Sequence, residues 1–279
     1  MAWLARLEMD YAVSHGRSVV HHRHDGPLRV LRSLYPEGDA VCHNVLVHPP
    51  GGLVGGDTLD IRAHVASGAH ALVTTPGATR FYRAEGAADV QQTQQTQLTL
   101  QADARMEWLP LETIAYSGCE AHNRLQLQLA PGAELIGWDI TALGLPHAGL
   151  PFVSGSYSQH IALPGVWLEQ GRIAADDAWL MDGPLGLDGQ RCLASLFFVA
   201  GSPMARERRD AALELTRALL DTHPLGARCG VTSPQEQVLV LRAIAPLVEP
   251  VMQLWQQVWR LWRAHFWDLS AVAPRIWSM

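Results

Sequence analysis

Two carboxylates in apolar company and a short histidine run are the first side chains in this sequence with the chemistry to meet a cation. Glu112 sits in Trp108-Leu-Pro-Leu-Glu-Thr113 and Asp139 in Trp138-Asp-Ile-Thr141. Beside tryptophan and leucine, such a carboxylate is either hydrogen-bonded locally or lines a polar passage, because an unpaired buried charge costs too much. Asp57 closes the densest signature of the chain, His48-Pro-Pro-Gly-Gly-Leu-Val-Gly-Gly-Asp57. Its two Gly-Gly pairs suit either a tight turn or a close approach of backbone to another surface, and Asp57 could accept hydrogen bonds or touch a cation. His21, His22, His24 and Asp25 cluster, with Cys42-His43 nearby in sequence. Imidazole and carboxylate oxygen suit nickel as well as zinc, but no helical His-x-x-x-His or Glu-x-x-His spacing fixes a geometry, so the signal is weak and a merely surface-exposed cluster explains them better.

Other chemistry is excluded or unsupported. All 21 basic residues are arginine, which rules out a Schiff-base lysine and a P-loop lysine. The glycine signature is followed by no Gly-Lys-[Ser/Thr], and no Gly-x-Ser-x-Gly elbow marks a nucleophile. A net charge of -6 gives no footprint for a polyanion, so nucleic acid is not expected as a ligand. Cys42, Cys119, Cys192 and Cys229 form no Cys-x-x-Cys pair and fit a reducing compartment. Arg6, Glu8 and Asp10 interrupt what would be the apolar part of a signal peptide, and no uncharged run reaches spanning length. A cytoplasmic protein with no membrane association is the expectation.

These residues have to be positioned by strands. From about residue 57 to 164, apolar and polar residues alternate with period two between Gly, Pro and Asp turns, as in Gln94 to Gln101 and Arg124 to Leu129. A weak repeat aligns the segments that start at Gly68, Ala102 and Gly132, with steps of 34 and 30, and Gly165-Val-Trp-Leu-Glu169 begins a degenerate fourth unit. Stacked strand-turn-strand units imply a sandwich with solenoid character, or an ordinary β-sandwich whose turns share composition. The expected fold class is mainly β, a stacked-sheet, β-helix-like sandwich with two or more α-helices in the C-terminal third. The division is a β-rich body over about 1–203 and a helical part over about 204–279, within one domain and around one continuous core.

Past Pro203 the period becomes helical. One helix is expected over Ala205 to Leu220. A second opens at Thr232-Ser-Pro-Gln-Glu236 and runs through Pro246 and Pro250, which should break or kink it. From Val251 onward Trp255, Trp259, Trp262 and Phe266 mark one face. The stripe is either core or a partner surface, since tryptophan is enriched at interfaces. Earlier in the chain, the turn in Thr74-Thr-Pro-Gly-Ala-Thr-Arg-Phe-Tyr-Arg83 presents Arg80, Tyr82 and Arg83, a set able to clamp an acidic partner or simply to lie solvated.

His48 to Asp57, Thr75-Pro-Gly-Ala78, Trp108 to Thr113 and Pro274-Arg-Ile-Trp277 resemble, in order and over nearly the whole chain, the UreD (UreH) family of urease accessory proteins. The resemblance implies a mainly β fold without catalytic activity. It implies a scaffold that joins apo-urease to a UreF-type protein and, through it, to a nickel-carrying UreG-type GTPase. It also implies transient passage of Ni2+ with no tightly bound cofactor, and on that reading Asp57, Glu112, Asp139 and, less directly, Glu169 are the carboxylates that hand the ion on. The UreF-type contact falls on the C-terminal helices and their tryptophans. The competing expectation is a β-sheet hydrolase or small-ligand-binding protein with a pocket around Arg80 and Arg83.

Overall fold

The computed structural model describes residues 2–83 and 90–278. Alternation builds most of it. β1 (Leu4–Ser14) buries every second residue, Ala5, Leu7, Met9 and Tyr11, as a strand with one wet face does. It pairs on one side with β2 (Arg17–Asp25), antiparallel, and on the other with β5 (Thr58–Val65), parallel. β8 (Gln92–Leu100), β11 (Cys119–Leu129) and β14 (Gly155–Leu163) continue the parallel series, and β15 (Trp167–Ala174) closes this seven-stranded sheet.

The second sheet has eleven strands. Its parallel centre is β4 (Val41–Val47), β6 (His70–Thr74), β9 (Arg105–Leu109) and β12 (Glu134–Leu145). β3 (Arg29–Val30) flanks β4, while β7 (Thr79–Phe81) and β10 (Thr113–Ala115) run parallel beside the end of β12, which also carries β13 (Leu150–Pro151). β16 (Cys192–Ala200), then β18 (Val238–Ala245) and β17 (Cys229–Gln235), extend the sheet antiparallel.

The solenoid reading holds for three units: β5 to β6, β8 to β9 and β11 to β12 each cross from one sheet to the other through a short turn. The register differs by one residue from the sequence alignment. Gly68, Asp103 and Gly132 all occupy the left-handed region, and the following Ala69, Ala104 and Ala133 are buried at the corner. Their neighbours stack through Arg105 N–H to Ala69 O (2.9 Å) and Glu134 N–H to Ala104 O (3.0 Å). Asp103 thus stands where glycine was expected, and aligning Ala102 with the glycines slips the unit by one. The Gly165 turn is not a fourth crossover, since β14 and β15 form an antiparallel hairpin inside one sheet.

Two helices cover the outer face of the larger sheet, α2 (Arg206–Leu220) and α3 (Val248–Trp267), while the one-turn α1 (Ala178–Asp182) lies in the β15–β16 connection. Burial therefore separates into two clusters rather than one core, one between the sheets and one between the larger sheet and the helices. β12 serves both. Leu135 and Leu143 face the other sheet, while Ile136, Trp138 and Ile140 face the helices.

The helix expected from Thr232 is instead the β17–β18 hairpin. Val238 and Val240 face one cluster and Leu239 and Leu241 the other, so the apolar run is a strand buried on both faces, which composition alone does not separate from a helix. Pro234 is tolerated because β17 is the edge strand and bulges there. Pro246 follows β18, and Pro250 occupies the first turn of α3, where no intrahelical N–H is needed. The prolines frame the helix instead of kinking it.

Candidate functional site: a polar band between the sheets

Among the inward-facing residues of the sandwich, one level is polar. Gln94 on β8, Asn123 on β11 and Gln159 on β14 stand side by side in register. Opposite them, Asp139 on β12 is in register with Ser195 on β16, and Ser195 with Arg242 on β18. Asp139 is the hub. Its carboxylate accepts from Asn123 Nδ2 (2.7 Å), Gln159 Nε2 (2.7 Å) and Thr141 Oγ1 (3.1 Å). The Tyr157 hydroxyl, itself fully buried, accepts from Asn123 Nδ2 (3.1 Å) and donates to Thr141 Oγ1 (3.0 Å).

Among the described residues, no cationic side chain pairs with Asp139. Desolvation pushes its carboxyl from 3.8 up to about 6, opposed by the Thr141, Asn123 and Gln159 hydrogen bonds and reinforced by the charge of Glu169. Glu169 lies at the outer end of the band, accepting from Ser195 Oγ (2.6 Å) and from Arg242 Nη2 (2.7 Å). Gln159 donates to Asp139 and, with Glu169, Ser195 and Arg242, lines a groove of about 330 Å3 that opens to the surface. One carboxylate thus lies between the sheets and one at the mouth, with Gln159 and Ser195 along the way.

The other expected carboxylates lie apart from this pair. Asp57 is 1% exposed and accepts from Trp3 N–H (3.2 Å) and Val54 N–H (3.0 Å), so it fastens the start of β1 to the glycine turn. Burial keeps the neighbouring His48 below its ordinary range, against the pull of Asp57. Glu112 borders a separate, mostly apolar groove of about 360 Å3 with His147, Cys192 and Glu249. Among the described residues, no three His, Cys, Asp or Glu side chains converge closely enough to hold a metal ion. The histidine cluster is split by the pleat of β2: His21 faces Asp10, while His22 and His24 stack on the opposite face.

The glycine signature runs along β7. Leu53 exchanges backbone hydrogen bonds with Arg80 O (2.7 Å) and Tyr82 N–H (2.9 Å), and a Cβ on Gly52 would collide with the Tyr82 ring. The Pro-Gly turn thereby holds Arg80, Tyr82 and Arg83 at the surface, with Tyr82 stacked on Tyr116 at 5.1 Å. Neither arginine lines any of the five principal grooves among the described residues.

The tryptophan stripe is core. Trp255, Trp259 and Trp262 are each 0% exposed, so none has surface to offer a partner. The reason is the second cluster: α3 lies on a sheet face that also takes Trp138 and Phe198, and Trp277 folds back on Trp138 and Trp259. Charge is buried here as well. Arg263, 0% exposed, pairs with Glu37 (2.6 Å) and lies 3.6 Å from Glu107; His43 and His70 meet the same two carboxylates at 2.6 and 2.7 Å.

Comparison with known proteins places this architecture. The family model described as UreD urease accessory protein matches residues 4–278. The chain belongs to the UreD family of urease accessory proteins. Proteins named urease accessory protein UreD from Polaromonas sp. (strain JS666) and Albidiferax ferrireducens are 62% and 63% identical to it, and one from Leptothrix cholodnii is 50% identical. The first two alignments cover all of both chains, and the third 99% of each. Membership implies a role in urease maturation, alongside urease and other accessory proteins, as a maturation factor rather than a catalyst. Among the described residues no helix is long and apolar enough to cross a membrane.

Proposed function

We propose that this chain is a cytoplasmic scaffold that joins apo-urease to UreF-type and UreG-type accessory proteins, and that Ni2+ passes through its polar band on the way to the urease active site. Here the ion is cargo, not a resident cofactor. The observation that carries the reading is Asp139, a partly buried carboxylate between the sheets that pairs with no cation among the described residues and that neutral, rotatable amides and hydroxyls surround. A divalent ion entering from the Glu169 groove would offset the desolvation of Asp139. Asn123, Gln159 and Thr141 each carry an oxygen that can turn toward it when the hydrogen bond to the carboxylate is given up.

Few and neutral donors favour transfer over storage. Oxygen ligands hold a borderline ion such as Ni2+ less firmly than imidazole or thiolate, and burial pushes the thiols of Cys119 and Cys192 both up to about 12, so they stay protonated. Glu169 is paired with Arg242 at the mouth, so an incoming cation displaces a guanidinium rather than meeting a bare charge. Asp57 and Glu112 are not connected to this pair; Asp57 serves as a fastening, and Glu112 belongs to the groove beside α3.

The test is the nickel content and activity of urease produced with its other accessory proteins, with and without this chain. Nickel-loaded, active urease only in its presence is expected; equal loading without it refutes the reading.

A further inference from the structure

The connection between β15 and β16 carries two apolar side chains that the fold leaves outside. Trp179 is 87% exposed and Leu185 102%. Singly exposed apolar residues are common on soluble proteins, but a tryptophan and a leucine six residues apart on one rigid loop combine the residue type most enriched in binding hot spots with a fixed presentation. The support is rigid. Asp177 Oδ1 accepts from Leu180 N–H (3.0 Å) at the start of α1, and Met181 plugs the interior at 2% exposure. Arg191 ties the far side, donating to Met181 O (2.9 Å) and to Asp182 (2.6 Å). Gly183 and Gly186 let the turn fold so closely on α1 that a Cβ at either would collide with the carbonyl of Trp179 or Leu180.

The surroundings define what would fit. Asp176, Asp177, Asp182 and Asp188 flank the two tips along the loop, and among the described residues only Asp182 and Asp188 have arginine partners, Arg191 and Arg228. The rim is therefore net negative around an apolar tip. Its position is also specific: Leu187 of the same loop and Arg228, which pairs with Asp188 at 3.3 Å, both line the groove where Glu169 sits.

We infer that the Trp179–Leu185 knuckle is a docking anchor for a protein partner that presents an apolar pocket rimmed by basic side chains, and that docking seats this partner over the Glu169 groove. The inference rests on the maturation reading for the partner's identity within the urease system, but not for the existence of the anchor. Charge complementarity sets orientation and speeds encounter, while the indole and the leucine supply the slow dissociation.

The double variant Trp179→Ala/Leu185→Ser removes both tips and, because neither packs on the chain itself, should unfold at the wild-type temperature. Purified urease subunits and the UreF-type and UreG-type proteins of the same system are the probes, each titrated against wild type and variant. A loss of at least about tenfold in affinity for one of them, together with weakened wild-type binding when Asp176 is changed to Arg, is the expected result. Equal affinity of variant and wild type for all of them overturns the anchor. So does a wild-type homodimer that the variant dissociates, since the occupant would then be a second copy. Urease activation measured in parallel, with and without the wild-type chain, separates the cases: activation that needs the chain but is unchanged by the variant sinks the anchor alone. Activation that does not need the chain sinks the maturation reading, and with it the partner assigned here.

Discussion

Two clusters of polar and charged side chains packed against the larger sheet, one enclosed around Arg263 and one partly open around Asp139, are built on opposite plans. Around Arg263, two carboxylates, one guanidinium and two imidazoles are locked together between α3 and the larger sheet, and Trp259 Nε1 adds a donor to Glu107 at 2.5 Å. Around Asp139 there is one carboxylate, no partner cation, and donors that are all neutral and rotatable. The first arrangement pairs its charges within the protein, leaving Arg263 Nε without a hydrogen bond at 3.6 Å from Glu107, and is enclosed. The second leaves a charge to be met from outside and opens through Gln159 onto a groove. A buried group fully paired by its own protein has little left to offer a transient ion, whereas an unpaired one gains from it. The contrast separates a structural hub around Arg263 from a band around Asp139 that suits the transfer role proposed above.

The contrast breaks most directly at the hub. Arg263→Met should leave Glu37 and Glu107 buried with one imidazole each and cost about 3–5 kcal/mol of unfolding free energy, read by urea denaturation. A loss below 1 kcal/mol, on the order expected of an exposed pair, would remove the distinction between the two regions.

A smaller effect, of different form, is expected at Asp139. Its folded carboxyl titrates above its unfolded one, so the folded chain retains a proton that the unfolded chain has released between about pH 4 and 6. Stability therefore falls as pH rises through that window, and the deficit is complete above it. Asp139→Asn lacks this titration. Its stability relative to wild type should rise by on the order of 2–3 kcal/mol from pH 4 to pH 7, measured by unfolding curves at each pH. A pH-independent difference would mean that Asp139 is not a strained carboxylate.

The smallest stability effect belongs to Glu169→Gln. Its ion pair with Arg242 is half open to water, the guanidinium side being 47% exposed, so less than about 1 kcal/mol should be lost. Urease activation should nevertheless drop, and an activation level equal to wild type would take Glu169 out of the passage.

Much of this layout was visible beforehand in the residues. Period-two alternation and the Gly68 and Gly132 turns announce stacked strand-turn-strand units, and only the left-handed Asp103 hid the true register. The β17–β18 hairpin was hidden because a strand covered on both faces loses its alternation and then looks like helix. Of the expected carboxylates, Asp139 and Glu169 lie along one polar band, but Asn123, Gln159, Thr141 and Ser195, which complete it, belong to no motif that points to a site. A signal was there: Asn123 holds the same inward parity as Ala121, Leu125 and Leu127, so a polar residue was breaking an apolar face. The Arg263 hub carried no such signal. It joins Glu37 and Glu107 to a helix more than 150 positions later, and only the folded chain reveals that distance closed.

The most direct test of the transfer role is the nickel content of urease matured with the Asp139→Asn chain, under conditions where the variant still copurifies with urease and its accessory partners. Assembled complexes yielding urease depleted in nickel are predicted. Full nickel loading from an intact complex would contradict the account.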